Sequence, residues 1–417
     1  MLKISLLTIG DEILIGQIIN SNASWIAEQC TRLGAKIILH SVVGDEREAM
    51  LSELDRLLFV SDVVLLTGGL GPTHDDITKS VLCEYFNDEL IRNEQVLKLV
   101  EDFLQKRNIP VTERNQKQAD VPKKAKILHN TNGTAPGLLF DMTGNVIVAM
   151  PGVPSEMKSI MRTWVLPYLE SMMTENKEEV VLYKVLQTAG IAESKLADLL
   201  GNVDDFLGGG SLAFLPSYKG VRLRIGVTGN TSDLAREKLN QIEKHIYSKA
   251  GKFIFGENDD SLASVVGKLL KEKGKTCSVA ESCTGGLLGA EFTSVPGSSD
   301  YFVGGAIVYS NEAKTKILDV SKGIIDAFGA VSEETAKELA SNVRKVFKTD
   351  FGISITGIAG PSGGTIEKPV GTVWIGLASE NDVLTKKFVF SNDREINRER
   401  SVAKALEMLL NTLKYPI

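Results

Sequence analysis

The chain has 417 residues, too many for one ordinary core, and 43% hydrophobic with 24% charged residues is the composition of a globular protein in water. A formal net charge of −6, with no block of lysines and arginines interleaved with aromatics, argues against direct contact with nucleic acid. No apolar run is long enough to cross a bilayer, so no membrane role is expected.

The N-terminal stretch MLKISLLTIGDEILIG carries Asp11 and Glu12 and reads as a strand, not as a signal peptide. From there strand-like runs alternate with amphipathic helices: KISLLTIG, SNASWIAEQCTRLG, KIILHSVVG, REAMLSELDRLLF and DVVLLTGG. That alternation is how a parallel sheet covered on both faces is written. The segment 171–257 has a different order, EEVVLYKVLQTAG, ESKLADLLG, SLAFLPSYKGVRLRIGVTG and DLAREKLNQIEKHIYSKAG, which suits a small α+β domain. The polar, turn-rich run Gly256-Glu257-Asn258-Asp259-Asp260 is the best linker candidate. Beyond it the α/β pattern returns, with TCSVAES, GGAIVYS, DFGISITGIAG and GTVWIGLAS as strands. A multidomain α/β chain with domains at 1–170, 171–257 and 258–417 is expected.

The four cysteines, Cys30, Cys83, Cys277 and Cys283, lack CxxC spacing, so reduced thiols in a cytoplasmic protein are expected. The four histidines show no zinc-site spacing, and none occurs after His245.

In the C-terminal part, VAESCTGG places Ser282 at a strand-to-helix turn, with the helix expected to begin near Thr284. Free N–H groups at such a turn suit an oxyanion or a phosphate. The same residues serve equally as a plain helix start, with Ser282 or Thr284 as cap. GGAIVYSNEAKTK puts Tyr309 at a strand end and Lys314 in the first turns of the next helix. A desolvated lysine hydrogen-bonded by a tyrosine can act as a base for a serine, whereas most such lysines are solvated surface residues. TGIAGPSGG, from Thr356 to Gly364, is a further strand running into a glycine-rich loop. Arg394, Arg398 and Arg400 open the last helix, where they oppose its dipole and suit a phosphate or carboxylate.

In the N-terminal part, TIGDEILIG, TGGLGPTHDDITK and AMPGVPSEM each end a strand on a glycine-bearing turn, two of them with acidic residues. Such turns cradle phosphates by backbone N–H groups, and carboxylates beside them suit a divalent cation. One of Asp75 and Asp76 is also a helix-cap candidate.

AESCTGG, YSNEAK, ITGIAGPSGG, KPVGTVW and the terminal DR…R pattern together resemble the C-terminal domain of the competence/damage-inducible CinA family, over residues 260–415. GDEIL, GGLGPTHDDIT and MPGVPSEM resemble the N-terminal domain of the same family, an α/β sandwich of the molybdopterin-binding type, and the middle segment fits its linking domain. For the C-terminal domain the resemblance implies a nicotinamide mononucleotide deamidase that needs no cofactor. Ser282 would attack the carboxamide, Lys314 with Tyr309 would shuttle the proton, backbone N–H groups after Ser282 would hold the oxyanion, and Gly285 and Gly286 would contact the substrate. Thr284 would orient the carboxamide, while Arg394, Arg398 and the loop bearing Gly360, Gly363 and Gly364 would hold the phosphate. The absence of a histidine partner favours Ser282 over Cys283 as nucleophile.

For the N-terminal domain the resemblance implies an ADP-ribose pyrophosphatase. Asp11, Glu12, Asp75 and Asp76 would bind a divalent metal cation, and Gly68, Gly69 and Gly71 would lie at the phosphates. Small nucleotides are then the expected partners, and a homodimer is the expected assembly. The alternative is a binding protein linked to competence and DNA repair, whose N-terminal domain holds a pterin or nucleotide without turnover.

Overall fold

The computed structural model describes residues 1–142, 144–175 and 180–415. It divides into two compact units, Met1–Tyr183 with Val227–Lys238, and Lys184–Gly226 with Leu239–Ile417.

The first unit is built on the strands β1 (Lys3–Ile9), β2 (Lys36–Val43) and β3 (Val63–Thr67), a small antiparallel ribbon of β4 (Leu90–Arg92) with β5 (Asp120–Pro122), and the strands β6 (Lys126–Leu128), β7 (Gly137–Met142) and β8 (Asn145–Met150). Its main sheet has the order β2-β1-β3-β8-β7-β6. β2, β1, β3 and β8 run parallel, and β7 and β6 are antiparallel additions. Successive side chains of a strand point to opposite faces, so a central strand needs apolar residues at every position to be covered twice. Ile4, Leu6, Val63, Leu65, Val146 and Val148 accordingly meet Ile26, Cys30, Met157 and Ile160 on one face. Leu7, Ile9, Val64, Leu66, Ile147 and Ala149 meet Met50, Leu54, Leu57 and Leu82 on the other. The parallel strands β1, β3 and β8 then deliver the loops after Ile9, Thr67 and Met150 to one edge of the sheet.

The second unit contains two sheets. The first joins β9 (Val180–Thr188), β10 (Ser211–Ser217), β11 (Gly220–Gly229) and β12 (Ile254–Glu257) in the order β10-β11-β9-β12. Gly256 and Glu257, read from sequence as the start of a linker, belong to β12 because their backbone pairs with Gln187 and Leu186. The second sheet comprises β13 (Cys277–Glu281), β14 (Phe302–Ile307), β15 (Phe351–Gly357), β16 (Thr372–Ala378) and β17 (Val383–Val389), ordered β14-β13-β15-β16-β17. β13 is parallel to both neighbours, whereas β16 and β17 are antiparallel. Residues 379–382 connect β16 to β17, and a connection that short permits only a hairpin. One face of this sheet is covered by the helices Leu262–Glu272 and Arg394–Lys414, through Val266, Leu270, Leu406 and Leu409. Leu339 and Val343 of the helix Glu333–Phe347 cover Ala280 on the other face.

All four cysteines are free and buried. Among the described residues no helix is long and apolar enough to cross a membrane.

Candidate functional site

β13, buried along its whole length, ends on Glu281, and Ser282 follows immediately. The turn is pinned on both sides: the Ser282 N–H donates to the Ile355 carbonyl at 3.0 Å, and the Val308 N–H donates to the Glu281 carbonyl at 2.8 Å. The chain leaving β14 then enters the helix Asn311–Leu318, whose N-cap, Ser310, accepts the Ala313 N–H. Lys314 on that helix is 1% exposed and reaches Ser282. Its Nζ lies 3.1 Å from Ser282 Oγ and donates to the carbonyls of Val308 at 2.8 Å and Tyr309 at 3.0 Å.

This geometry suits a neutral lysine. Two N–H groups stay on the two carbonyls, and the lone pair of the amine is left facing the serine hydroxyl. Burial lowers the Lys314 pKa, since the surroundings solvate an ammonium poorly, against a smaller opposing influence of Cys283. The expectation that the Tyr309 phenol assists the lysine is corrected. Its backbone carbonyl does so, while the side chain is exposed and its hydroxyl lies 3.4 Å from Arg394 Nη2.

The helix after Ser282 begins at Leu287, later than the sequence suggested, because the Glu281 carboxylate reaches over the turn. It accepts the N–H groups of Gly286, Leu288 and Gly289 at 3.0, 3.1 and 2.8 Å. Gly285 and Gly286, at φ 61° and 97°, supply the left-handed backbone this detour needs. Their N–H groups are engaged by Ser282 O and by Glu281, so they do not hold an oxyanion. The N–H groups of Cys283 and Thr284 have no oxygen acceptor among the described residues and are the better donors. The Thr284 hydroxyl, assigned from sequence to the carboxamide, is sealed from solvent with no partner among the described residues. Burial pushes the Cys283 thiol up to about 11, which leaves it protonated beside the serine.

The last helix assembles the rest of the site. Arg398 donates from Nε and Nη2 to the Thr284 carbonyl at 3.3 and 2.9 Å. Arg394 donates from Nη1 to the Gly360 carbonyl at 2.9 Å, so the glycine loop after β15, Tyr309 and the helix start meet at this residue. Between them Asn397, fully buried, donates to the carbonyls of Ala359 at 3.0 Å and Ser391 at 2.8 Å and accepts the Ser391 N–H. Sequence reasoning named the arginines but missed Asn397 and Glu281. The signal for Glu281 was an acidic residue ending an otherwise apolar buried strand.

In the first unit the three glycine-bearing turns do line one cleft, of about 480 Å³. Of the three glycines expected at phosphates only Gly69 has a free N–H among the described residues, joined by that of Leu70. The Gly68 N–H donates to the Met150 carbonyl, and the Gly71 N–H donates to Asp76. Asp76 also accepts the Thr73 N–H and hydroxyl, so it ties the loop and caps no helix. Glu12, Asp45 and Asp75 line the cleft, whereas Asp11 lies over Gly44. Burial, followed by the nearby charges of Asp11, Glu12 and Asp75, raises the Asp45 pKa against the bond from the Asp11 N–H. Among the described residues no three carboxylate, thiol or imidazole groups converge as a metal shell in this arrangement.

Fold and geometry therefore define a multidomain α/β protein with a buried serine–lysine pair in one module and a glycine-loop cleft in another. Three family models match in series: a probable molybdopterin binding domain over residues 5–171, the damage-inducible protein CinA KH domain over 183–256, and the CinA C-terminal domain over 259–413. The chain is 40% identical over 412 residues to a competence-damage inducible protein of Alkaliphilus metalliredigens, covering 99% of each. It is 42% identical over 416 residues to one of Clostridium perfringens, again covering 99% of each. A CinA-like protein of Salinibacter ruber is 42% identical over 414 residues, covering 99% of this chain and all of that one (100%). The chain belongs to the competence-damage inducible CinA family.

Proposed function

We propose that the C-terminal module is a serine–lysine amidohydrolase that deamidates nicotinamide mononucleotide. The observation carrying this reading is the Lys314 Nζ, buried and 3.1 Å from Ser282 Oγ, with two carbonyls fixing its N–H groups. Ser282 Oγ attacks the carboxamide carbon as its proton passes to Lys314 Nζ. The carbonyl oxygen, now negative, is met by the Cys283 and Thr284 N–H groups. Collapse breaks the C–N bond, and the proton on Lys314 leaves with the nitrogen as ammonia. Water then attacks the acyl-serine, gives its proton to Lys314, and nicotinate mononucleotide leaves as Ser282 regains its hydrogen. The exposed Arg394 retains N–H donors for the phosphate.

The test is ammonia release from nicotinamide mononucleotide by the wild type, Ser282→Ala and Lys314→Met. Release by the wild type alone supports the reading. Equal release by Ser282→Ala removes the serine as nucleophile.

For the N-terminal cleft a coarser role has better support: it binds a phosphorylated nucleotide such as ADP-ribose through the Gly69 and Leu70 N–H groups. Glu12, Asp45 and Asp75 line the same cleft, so a carboxylate is at hand there should a divalent cation be required. AMP formation from ADP-ribose upon addition of a divalent cation would instead establish the pyrophosphatase.

A further inference from the structure

The N-terminal cleft holds one polar group that neither the glycine motifs nor the carboxylates account for. Gln118, in the short turn Lys117–Ala119, is 1% exposed and lines the cleft. Lys79, on the helix Thr78–Tyr85 that follows the glycine loop, is buried against it. Its Nζ donates to the backbone carbonyl and to Oε1 of Gln118, both at 3.1 Å. A lysine has only donors, so the amide atom facing it must be the oxygen. The other amide atom, Nε2, is thereby fixed as a donor, on a side chain that lines the cleft.

A donor that opens on the cleft is met there by water or by an acceptor of a bound ligand. The character of that wall says which ligand. The Gly69 and Leu70 N–H groups and the Gln118 amide are all donors, with an ammonium behind them. Burial lowers the Lys79 pKa to about 8, against the nearby charges of Asp120 and Asp76, which leaves it an ammonium at neutral pH. The other acidic groups of the cleft, Glu12, Asp45, Asp75 and Glu156, would repel an anion and so direct it to the donors.

We propose that Gln118, held by Lys79, donates its Nε2–H to a phosphate oxygen of a ligand seated on the Gly69 and Leu70 N–H groups. Gln118 thus selects ligands that present an anionic acceptor, and Lys79 is its positioning residue. The inference rests on the reading of this cleft as a nucleotide site.

The experiment is calorimetric titration of the full chain with ADP-ribose. Gln118→Glu keeps the shape of the side chain and pairs with Lys79, so the fold is retained, but it turns an acceptor with negative charge toward the phosphate. Its affinity is expected to fall by about tenfold or more, with an unchanged circular dichroism spectrum. Gln118→Leu, which removes the donor without adding charge, carries the same expectation should Gln118→Glu fail to fold. Lys79→Met is expected to lose a similar factor, and Lys79→Met/Gln118→Leu to be no weaker than either single variant, because the two act as one unit. Wild-type affinity in Gln118→Glu overturns the role of Gln118. Additive losses in the double variant overturn the positioning role of Lys79. No binding by the wild type overturns the nucleotide reading itself.

Discussion

Arg398, in the second turn of the last helix, donates two hydrogen bonds to the backbone carbonyl of Thr284, two residues past the candidate nucleophile. A contact across 114 positions of sequence thus fixes the Thr284–Gly285 peptide, which adjoins the Thr284 N–H proposed as an oxyanion donor. Arg398→Leu should lower kcat for ammonia release by about tenfold to a hundredfold with little change in KM, since a donor displaced by a fraction of an ångström meets the transition state poorly. A raised KM with kcat intact would place Arg398 on the phosphate instead.

The Glu281 carboxylate holds three N–H groups at the start of the helix Leu287–Thr293. Glu281→Ala leaves them buried without an acceptor and should cost about 3 kcal/mol of stability, read as a lower urea midpoint. Loss of less than about 1 kcal/mol would mean that water replaces the carboxylate there.

Lys314 must be neutral to accept the serine proton, so deamidation should rise with pH along a limb whose midpoint lies below the ordinary lysine value of 10.5. The same shift enters stability. Because the folded pKa is the lower one, the unfolded chain binds the extra proton in the window between the two values. Stability therefore rises with pH across that window, and the penalty is fully present below the folded pKa. Lys314→Met should abolish both the limb in activity and this contribution to the unfolding curve. A profile flat up to pH 10 would remove Lys314 as the base.

Cys283 sits beside the nucleophile with its thiol pushed up to about 11 by burial. Treatment with iodoacetamide at neutral pH should leave ammonia release intact, and Cys283→Ala, which keeps the backbone N–H, should retain activity within about threefold. Inactivation that parallels alkylation of Cys283 would reverse the assignment.

Gly69 has φ 64°, and a Cβ added there would lie within 2.1 Å of Thr78 Oγ1. Gly69→Ala should displace the loop and weaken ADP-ribose binding by about tenfold or more in calorimetry. Unchanged binding would place the ligand elsewhere.

Ser282 and Lys314 were legible in the sequence because each follows a strand-like run, the buried β13 and its neighbour β14, and such runs end on a common edge when their strands lie side by side and parallel. Tyr309 was legible as a position but not as a role: the residue supplies a carbonyl, which its side-chain identity does not reveal. The glycine loops were recognised, yet which of their N–H groups stay free depends on acceptors far along the chain, such as Met150 for Gly68.

The order of apolar runs, helices and glycine turns determined the α/β architecture and the turns on which chemistry falls, because hydrophobic periodicity and backbone freedom are local properties of residues. Only the tertiary structure decided that Lys314 lies against Ser282, that Asp76 ties its own loop, and that Glu281, Asn397 and Gln118 belong to the sites at all. Each of those depends on the direction and distance of a hydrogen bond between groups remote in sequence, and a linear string of side chains carries neither.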